Sequence, residues 1–324
     1  MHGINRIRTL AGRAVLEIIL VALCLFLAAV APNFLTAENV LNVLRNVSMQ
    51  GLIALGMTLV IIAGEIDLSV GSMAAFSGCL TAWLTGALGP SGSGLPFPLA
   101  VSAAILAALA VGSVSGACAG VLRNRFGVPS FISTLALLTG LSGAAELITN
   151  GFPLTTFPPW YNFIGGGYIA GIPFPALVFL VAFAGAHVLM NYTSFGRAVY
   201  AVGGNAEAAR LSAIDVRMVR STVLALTSTL AAASGVMQSS EIMSGTAATA
   251  KGWELDVIAA VIIGGTSLSG GVGRVWGTMV GIVFLGVMMN GMTLLNVSEY
   301  WQHVVRGGLI LLAVLINRME ARAQ

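Results

Sequence analysis

Long apolar segments, separated by short polar ones, follow one another along almost the whole chain. A helix needs about 20 largely apolar residues to cross the hydrocarbon core of a bilayer. Apolar segments in lipid must be helical, because lipid offers no partner for an unpaired backbone amide. We therefore predict about ten membrane-spanning helices, at residues 14–31, 49–63, 70–88, 97–122, 128–148, 175–190, 218–238, 257–270, 276–295 and 301–316.

The composition agrees with this pattern. Of the 324 residues, 57% are hydrophobic and only 8% are charged, whereas a soluble globular chain carries roughly 25% charged residues. The longest hydrophilic segment, residues 191–217, is too short to form an independent core. We predict an all-α fold, a polytopic bundle of transmembrane helices in which residues 1–324 form a single membrane domain.

The basic residues predict the orientation of the bundle. Cytoplasmic loops of membrane proteins carry an excess of Lys and Arg, and in the ten-span arrangement only Arg45, Lys251 and Arg306 depart from one side. Both termini are therefore predicted to be cytoplasmic, and the formal charge of +3 requires no nucleic-acid partner. The basic residues on the common side are Arg6, Arg8, Arg13, Arg123, Arg125, Arg197, Arg210, Arg217, Arg220, Arg274, Arg318 and Arg322.

Signatures of catalysis are weak. The only lysine, Lys251, does not lie in a G-x-x-x-x-G-K-[ST] phosphate-binding loop, so any ATP hydrolysis would require a partner. Ser91 lies in a G-x-S-G sequence, as in intramembrane proteases with a His base, but nothing in this Gly/Pro-rich loop fixes its geometry. We predict a protein that is not an enzyme and that has no metal site and no cofactor. The three cysteines lie in apolar spans without C-x-x-C spacing.

Two segments of the chain resemble each other. In residues 60–72 and again in residues 261–271, a β-branched apolar run stops at glycines and continues through a polar Leu-Ser step. Paired, glycine-interrupted spans point to a transport pathway, although Gly and Ser also serve close helix packing. A weakly binding path needs only small polar side chains, so the residues that could line one are Ser69, Ser72, Thr266, Ser267 and Asn290. The residues expected to anchor the turns are Asp67, Glu254 and Asp256.

The hydrophilic segment at residues 191–217 contains a second candidate site. Asn205 can cap a short helix, and Glu207 in its first turn would complement the helix dipole. Ala208, Ala209 and Leu211 then give this helix a small apolar face, with Arg210 beside it. Such a helix, preceded by Gly203 and Gly204, suits docking to another protein, and the alternative is a helix lying on the membrane surface.

With these motifs in hand, the chain resembles the permeases of ribose-type monosaccharide ABC importers over nearly its whole length. The family usually has glycine at the position of Ala213 and commonly at that of Glu65. The motifs that carry the resemblance are Gly56-Met57-Thr58-Leu59-Val60-Ile61 with Ile66-Asp67-Leu68-Ser69-Val70-Gly71-Ser72, Gly203-Gly204-Asn205 with Ala208-Ala209-Arg210-Leu211-Ser212, Glu254-Leu255-Asp256 with Ile258-Ala259-Ala260-Val261, and Gly264-Gly265-Thr266-Ser267-Leu268 with Gly270-Gly271 and Gly273.

The resemblance implies a machine with several subunits in the bacterial inner membrane. It implies two permease chains, identical or related, over two cytoplasmic ATP-binding subunits and fed by a periplasmic sugar-binding protein. The segment from Asn205 to Leu211 would be the coupling helix that rests on the ATPase. A permease for another solute, such as a sugar-like signal molecule or an amino acid, stays an alternative. From a different class, the alternative is an autonomous secondary carrier or channel, which the lack of a central carboxylate cluster disfavours.

Overall fold

A computed structural model describes residues 15–323 of the chain. Arg6, Arg8 and Arg13, on which part of the orientation argument rests, lie outside these residues. The first six helices are α1 (Val15–Val30), α2 (Ala37–Ile62), α3 (Val70–Leu88), α4 (Phe97–Phe126), α5 (Ser130–Thr149) and the short α6 (Phe163–Gly166). The others are α7 (Phe174–Tyr192), α8 (Ser194–Gly204), α9 (Ala206–Leu211), α10 (Val216–Glu241), α11 (Trp253–Ile263), α12 (Val275–Leu294) and α13 (Glu299–Ala323).

The predicted all-α membrane fold is confirmed. Within residues 15–323, the helices long and apolar enough to cross a membrane are six, namely α2, α4, α5, α7, α10 and α12, and α1 is a shorter apolar helix. Two predicted boundaries are wrong. Helix α2 begins at Ala37 rather than at residue 49, because Thr36 caps it and its polar first turns are helical. Helix α11 ends at Ile263, because Gly265 adopts a positive φ of 86° immediately afterwards.

Helix α10 lies at the centre of the bundle and packs closely against α4. Small residues on α4 permit this approach: a Cβ placed on Gly116 would lie 2.3 Å from the carbonyl oxygen of Leu224, and one on Gly120 would lie 2.5 Å from Cα of Ser221. Without a hydrophobic driving force in lipid, such close backbone packing is a main source of helix association. The two helices are antiparallel, because Gly120 on α4 contacts an earlier residue of α10 than Gly116 does.

The second half of α2 forms the core, since every residue from Gly51 to Ala63 is buried. Its polar groups are satisfied locally: Thr58 Oγ1 lies 2.6 Å from Thr278 Oγ1 of α12 and donates to the carbonyl of Ala54. Seven arginines lie at the end of the bundle where α2 ends and α10 begins, which we call the basic end: Arg123, Arg125, Arg197, Arg210, Arg217, Arg220 and Arg274.

The opposite end of the bundle is covered by the segment between α5 and α7. This segment contains a 3-10 helix (Pro159–Asn162), helix α6 and a two-stranded antiparallel hairpin, β1 (Tyr168–Ile169) and β2 (Ile172–Pro173). Tyr161 is fully buried there, and its hydroxyl contacts the carbonyl of Val236 and Oγ of Ser239 on α10. The segment between α5 and α7 is thus packed onto the end of α10.

Candidate functional site

The chain between α2 and α3 crosses the packed interior without being helical. Residues 65–69 are irregular, and their backbone amides require partners because buried, unpaired N–H groups are costly. Helix α5 supplies these partners from its first turns. Ser130 Oγ accepts a hydrogen bond from the amide of Ile66 at 3.1 Å, and Thr134 Oγ1 accepts one from the amide of Leu68 at 3.0 Å.

Asp67 lies within this irregular segment and is buried. Its Oδ1 accepts hydrogen bonds from the amide and the hydroxyl of Ser69, at 2.8 and 2.6 Å, and its Oδ2 accepts one from Ser228 Oγ of α10 at 3.3 Å. The carboxylate therefore closes the turn that starts α3 and ties this turn to α10. A path-lining role for Ser69 would compete with the bond that its hydroxyl already donates to Asp67.

The two glycine-interrupted turns that resemble each other in sequence touch each other at the basic end. The amide of Gly271, in the loop between α11 and α12, donates to the carbonyl of Ile62 at 2.8 Å. Gly203 of α8 lies against both turns, because a Cβ on it would be 1.7 Å from that same carbonyl oxygen. A Cβ on Gly270 would be 3.0 Å from Cα of Gly64. We call this backbone contact of Gly64, Gly203, Gly270 and Gly271 the glycine junction.

A buried ion cluster lies beside the glycine junction. The side chain of Glu65 is 2% exposed, and Nε of Arg123, at the end of α4, donates to its two oxygens at 2.9 and 3.1 Å. Nε of Arg220, near the start of α10, lies 2.8 Å from Oε1. Sequence reasoning missed this cluster, because both arginines lie far from Glu65 along the chain.

Helices α8 and α9 together form the predicted docking segment. The predicted cap is confirmed: Asn205 Oδ1 accepts hydrogen bonds from the amides of Glu207 and Ala208, both at 3.0 Å. Arg210 donates to the carboxylate of Glu207 at 2.6 and 3.0 Å, and this bond lowers the pKa of Glu207 and raises that of Arg210. Sequence reasoning missed the preceding helix α8, which Thr193 caps.

The predicted apolar face of α9 is wrong in one respect. Ala209 is 4% exposed and packs into the core of its own chain, whereas Leu211 is 74% exposed. Ala208 and Arg210 are exposed as well, so these residues and Leu211 form the outward surface of α9. Ala213, just after α9, has a φ of 62°, the left-handed region that favours glycine. Alanine therefore carries a steric cost at this position that glycine would not carry.

A third group of charged residues lies at the start of α11. Asp256 is buried and forms an ion pair with Arg306 of α13, at 2.7 Å between Oδ1 and Nε. The ion pair explains why Arg306 can lie away from the predicted cytoplasmic side, where most of the basic residues lie. The carboxylate of Glu254 lies over Gly71 at the start of α3, where an added Cβ would be 2.2 Å from Oε2. The backbone carbonyl oxygen of Ala250 would lie 2.8 Å from the same added Cβ, and this contact requires glycine at that position.

The candidate path residues are not in one place. Ser69 and Ser72 lie at the start of α3, where Ser72 Oγ donates to the carbonyl of Ser69 at 2.8 Å. Thr266 is buried and Ser267 is half-buried in the loop between α11 and α12. Asn290 is separate from both pairs, because it exchanges two amide hydrogen bonds with Asn39 of α2, at 3.0 and 2.8 Å. Within residues 15–323, no group of three or more His, Cys, Asp or Glu side chains could hold a metal ion.

Comparisons with known proteins identify the family to which the chain belongs. Residues 39–314 match the family model described as "Branched-chain amino acid transport system / permease component". The chain is 38% identical over 307 residues to the ribose import permease protein RbsC of Escherichia coli K12, covering 94% of this chain and 92% of that protein. It is 41% identical over 301 residues to RbsC of Bacillus subtilis, covering 92% and 90% of the two chains.

A third relative is named for a different sugar. The L-arabinose ABC transporter permease protein AraH of Azospirillum brasilense is 38% identical over 303 residues, covering 93% of this chain and 86% of that protein. No solved structure gives a significant match to the chain. The family match spans most of the chain, and these relatives cover nearly all of it. The chain therefore belongs to this family of transport-system permease components, among which it resembles the ribose-type ABC permeases.

Proposed function

We propose that this chain is the membrane channel of an importer that moves a monosaccharide or a related polyol into a bacterial cell. ATP would be hydrolysed by a separate cytoplasmic subunit, and a periplasmic sugar-binding protein would deliver the solute. The relatives named for ribose and L-arabinose support this substrate class. The same relatives support a location in the bacterial inner membrane, and the chain itself would carry out no chemical reaction.

The observation that carries the proposal is the direct contact between the docking segment and both interrupted turns. Helix α9 presents an exposed Leu211 to the surroundings, while Gly203, in the adjoining α8, touches the carbonyl of Ile62. A displacement of α8 and α9 by an ATPase would reach the ends of α2 and α11 through backbone contacts alone. Closure and opening of the ATPase pair would thus move the segments that interrupt the spans.

The proposed topology has ten membrane crossings, by α1 to α5, α7 and α10 to α13, with both termini and the basic end in the cytoplasm. The whole of residues 1–324 would then be one permease domain. The arginines at the basic end support this orientation, because positive loops stay on the cytoplasmic side. Two such chains, identical or related, would sit over the two ATP-binding subunits.

The proposed solute path runs past the irregular segments rather than through a regular helix. Ser69, Ser72, Thr266 and Ser267 all lie in or next to these segments, whose polar backbone suits weak binding of hydroxyl groups. Asn290 is the weakest member of this set because its amide is already paired with Asn39. Asp67 and Asp256 act as anchors of their turns, and Glu254 stands over the start of α3.

The test is to purify the tagged full-length chain gently from its native membranes. We expect an ATP-binding subunit to co-purify, and ATP hydrolysis in proteoliposomes to increase when the sugar-binding protein is added with ribose, arabinose or xylose. If only another solute stimulated hydrolysis, the chain would still be part of an ATP-driven importer, but the proposed substrate class would be wrong. A lone chain that moves solute without ATP would overturn the proposal and favour a secondary carrier.

A further inference from the structure

The cavity that lies between the end of α4 and the start of α10 is not used by the proposed transport function. It has a volume of about 450 Å³ and opens to the outside at the basic end. Asn124 lines the cavity and joins the two helices, since Nδ2 donates to the carbonyl of Arg217 at 2.8 Å and to Ser221 Oγ at 2.9 Å. These two hydrogen bonds hold the end of α4 and the start of α10 together around the cavity.

The charges in this cavity favour an anion. Arg125 and Arg217 line it, are exposed, and form no ion pair within the described residues. Asp215 is the only acidic residue in the lining, and its Oδ1 already accepts a hydrogen bond from the amide of Met218. Two arginines and one aspartate leave a net charge of +1, which matches the single negative charge of a phosphodiester.

An apolar surface continues from the cavity along the bundle. Leu99, Leu106, Val114 and Val121 recur every seven or eight residues on α4 and are each between 51% and 68% exposed. They form one stripe along the helix, opposite the small residues that pack against α10. The stripe ends at Val121 in the cavity lining, where Met218 of α10 is exposed beside it.

We propose that this cavity binds the headgroup of an anionic phospholipid, whose acyl chains lie along the half of the apolar stripe of α4 that is nearer the cavity. Guanidinium groups suit phosphate oxygens because they donate two parallel hydrogen bonds. Basic pockets between membrane helices on the cytoplasmic side bind acidic headgroups in this manner. A soluble phosphate compound would use the same arginines but would leave the stripe uncovered, so the lipid is the ligand that satisfies both surfaces.

The experiment measures phosphatidylglycerol bound to the full-length chain by native mass spectrometry, after release from a mild detergent. A basic residue beside an acidic headgroup changes the affinity for that lipid by about fivefold. We expect Arg217→Gln to weaken binding about fivefold and the double variant Arg125→Gln/Arg217→Gln to weaken it about 25-fold. The matched control is Arg197→Gln, which removes one exposed arginine of α8 outside this cavity and should leave binding unchanged.

Two further arms separate the possible ligands. Excess glycerol 3-phosphate should not displace phosphatidylglycerol, because it has no acyl chains, and full displacement would assign the cavity to a soluble phosphate instead. Equal binding in the wild type and the double variant would overturn the proposal. So would a double variant that binds the lipid normally but loses its ATP-binding subunit, since the cavity would then belong to a contact between subunits.

Discussion

Oε1 of Glu65 lies 2.8 Å from Nε of Arg220, so the irregular segment after α2 is held to the start of α10 by opposite charges in a buried place. Arg123 adds the end of α4 to the same carboxylate. Three elements of the bundle therefore meet at one side chain. Because the docking helix α9 directly precedes α10, this ion cluster is a second connection, besides the glycine junction, between the docking segment and the interrupted spans.

Replacing Glu65 with Gln should lower the free energy of unfolding by about 3 kcal/mol, because the change leaves two neighbouring arginines without their counter-ion. Thermal unfolding in detergent would measure the loss. The matched control is Glu207→Gln, which breaks an exposed ion pair with Arg210 and should leave the melting temperature unchanged. Equal melting temperatures for Glu65→Gln and the wild type would show that the cluster does not stabilise the fold.

Leu211→Asp should release the ATP-binding subunit without unfolding the chain, because the side chain is exposed on α9. Co-purification measures the first effect and thermal unfolding the second. Ser212→Asp, which adds a charge at the neighbouring exposed position, serves as the control and should retain the subunit. Ala209→Asp should instead lower stability, since it buries a carboxylate in the core. If Leu211→Asp kept full subunit binding, α9 would not be the docking surface.

The glycine junction predicts opposite results for two adjacent residues of α8. Gly203→Ala should abolish transport or folding, because its Cβ would lie 1.7 Å from the carbonyl oxygen of Ile62. Gly204→Ala meets nothing within 4 Å and should keep its activity. Uptake of labelled sugar by cells that express each variant, with membrane levels compared, checks the pair. Full uptake by Gly203→Ala would mean that α8 does not touch the end of α2.

The ion pair between Asp256 and Arg306 predicts recovery in a double variant. Asp256→Asn or Arg306→Gln alone should lower the free energy of unfolding by about 3 kcal/mol, since each leaves one charge unpaired among apolar helices. The combined variant should regain most of that loss because no lone charge remains. Tyr300→Phe, at an exposed position on α13, is the control and should leave the melting temperature unchanged. Additive losses in a double-mutant cycle of thermal unfolding would contradict the pairing.

Ala213→Gly should stabilise the protein by about 0.5–1 kcal/mol, because glycine adopts the φ of 62° without the steric cost that alanine carries. The gain would appear as a higher melting temperature. Ala208→Gly is the matched control, since it places glycine inside α9 and should lower the melting temperature. A fall in melting temperature for Ala213→Gly would show that this turn does not adopt the left-handed conformation.

The apolar pattern was sufficient for most of the helices, because lipid imposes one kind of secondary structure on any long apolar segment. It failed where a helix was polar or too short to cross a bilayer: the first turns of α2 carry polar residues, and α8 has only 11 residues. The cap at Asn205 was predictable because capping is local in sequence. The cluster around Glu65 was not, because its partners lie 58 and 155 positions later in the chain and are brought together only by packing. The inward direction of Ala209 was missed for the same reason.

The hydroxyls of Ser130 and Thr134 have a consequence for how the bundle can move. The irregular segment after α2 has no hydrogen-bonded ladder of its own and depends on α5 for two of its amide partners. If that segment shifted alone, the amides of Ile66 and Leu68 would lose these hydrogen-bond partners. Helix α5 must therefore travel with residues 65–69 as one rigid body. The distance from Thr134 to Leu68 should stay constant through the transport cycle, while the bundle slides along the outer surfaces of this unit.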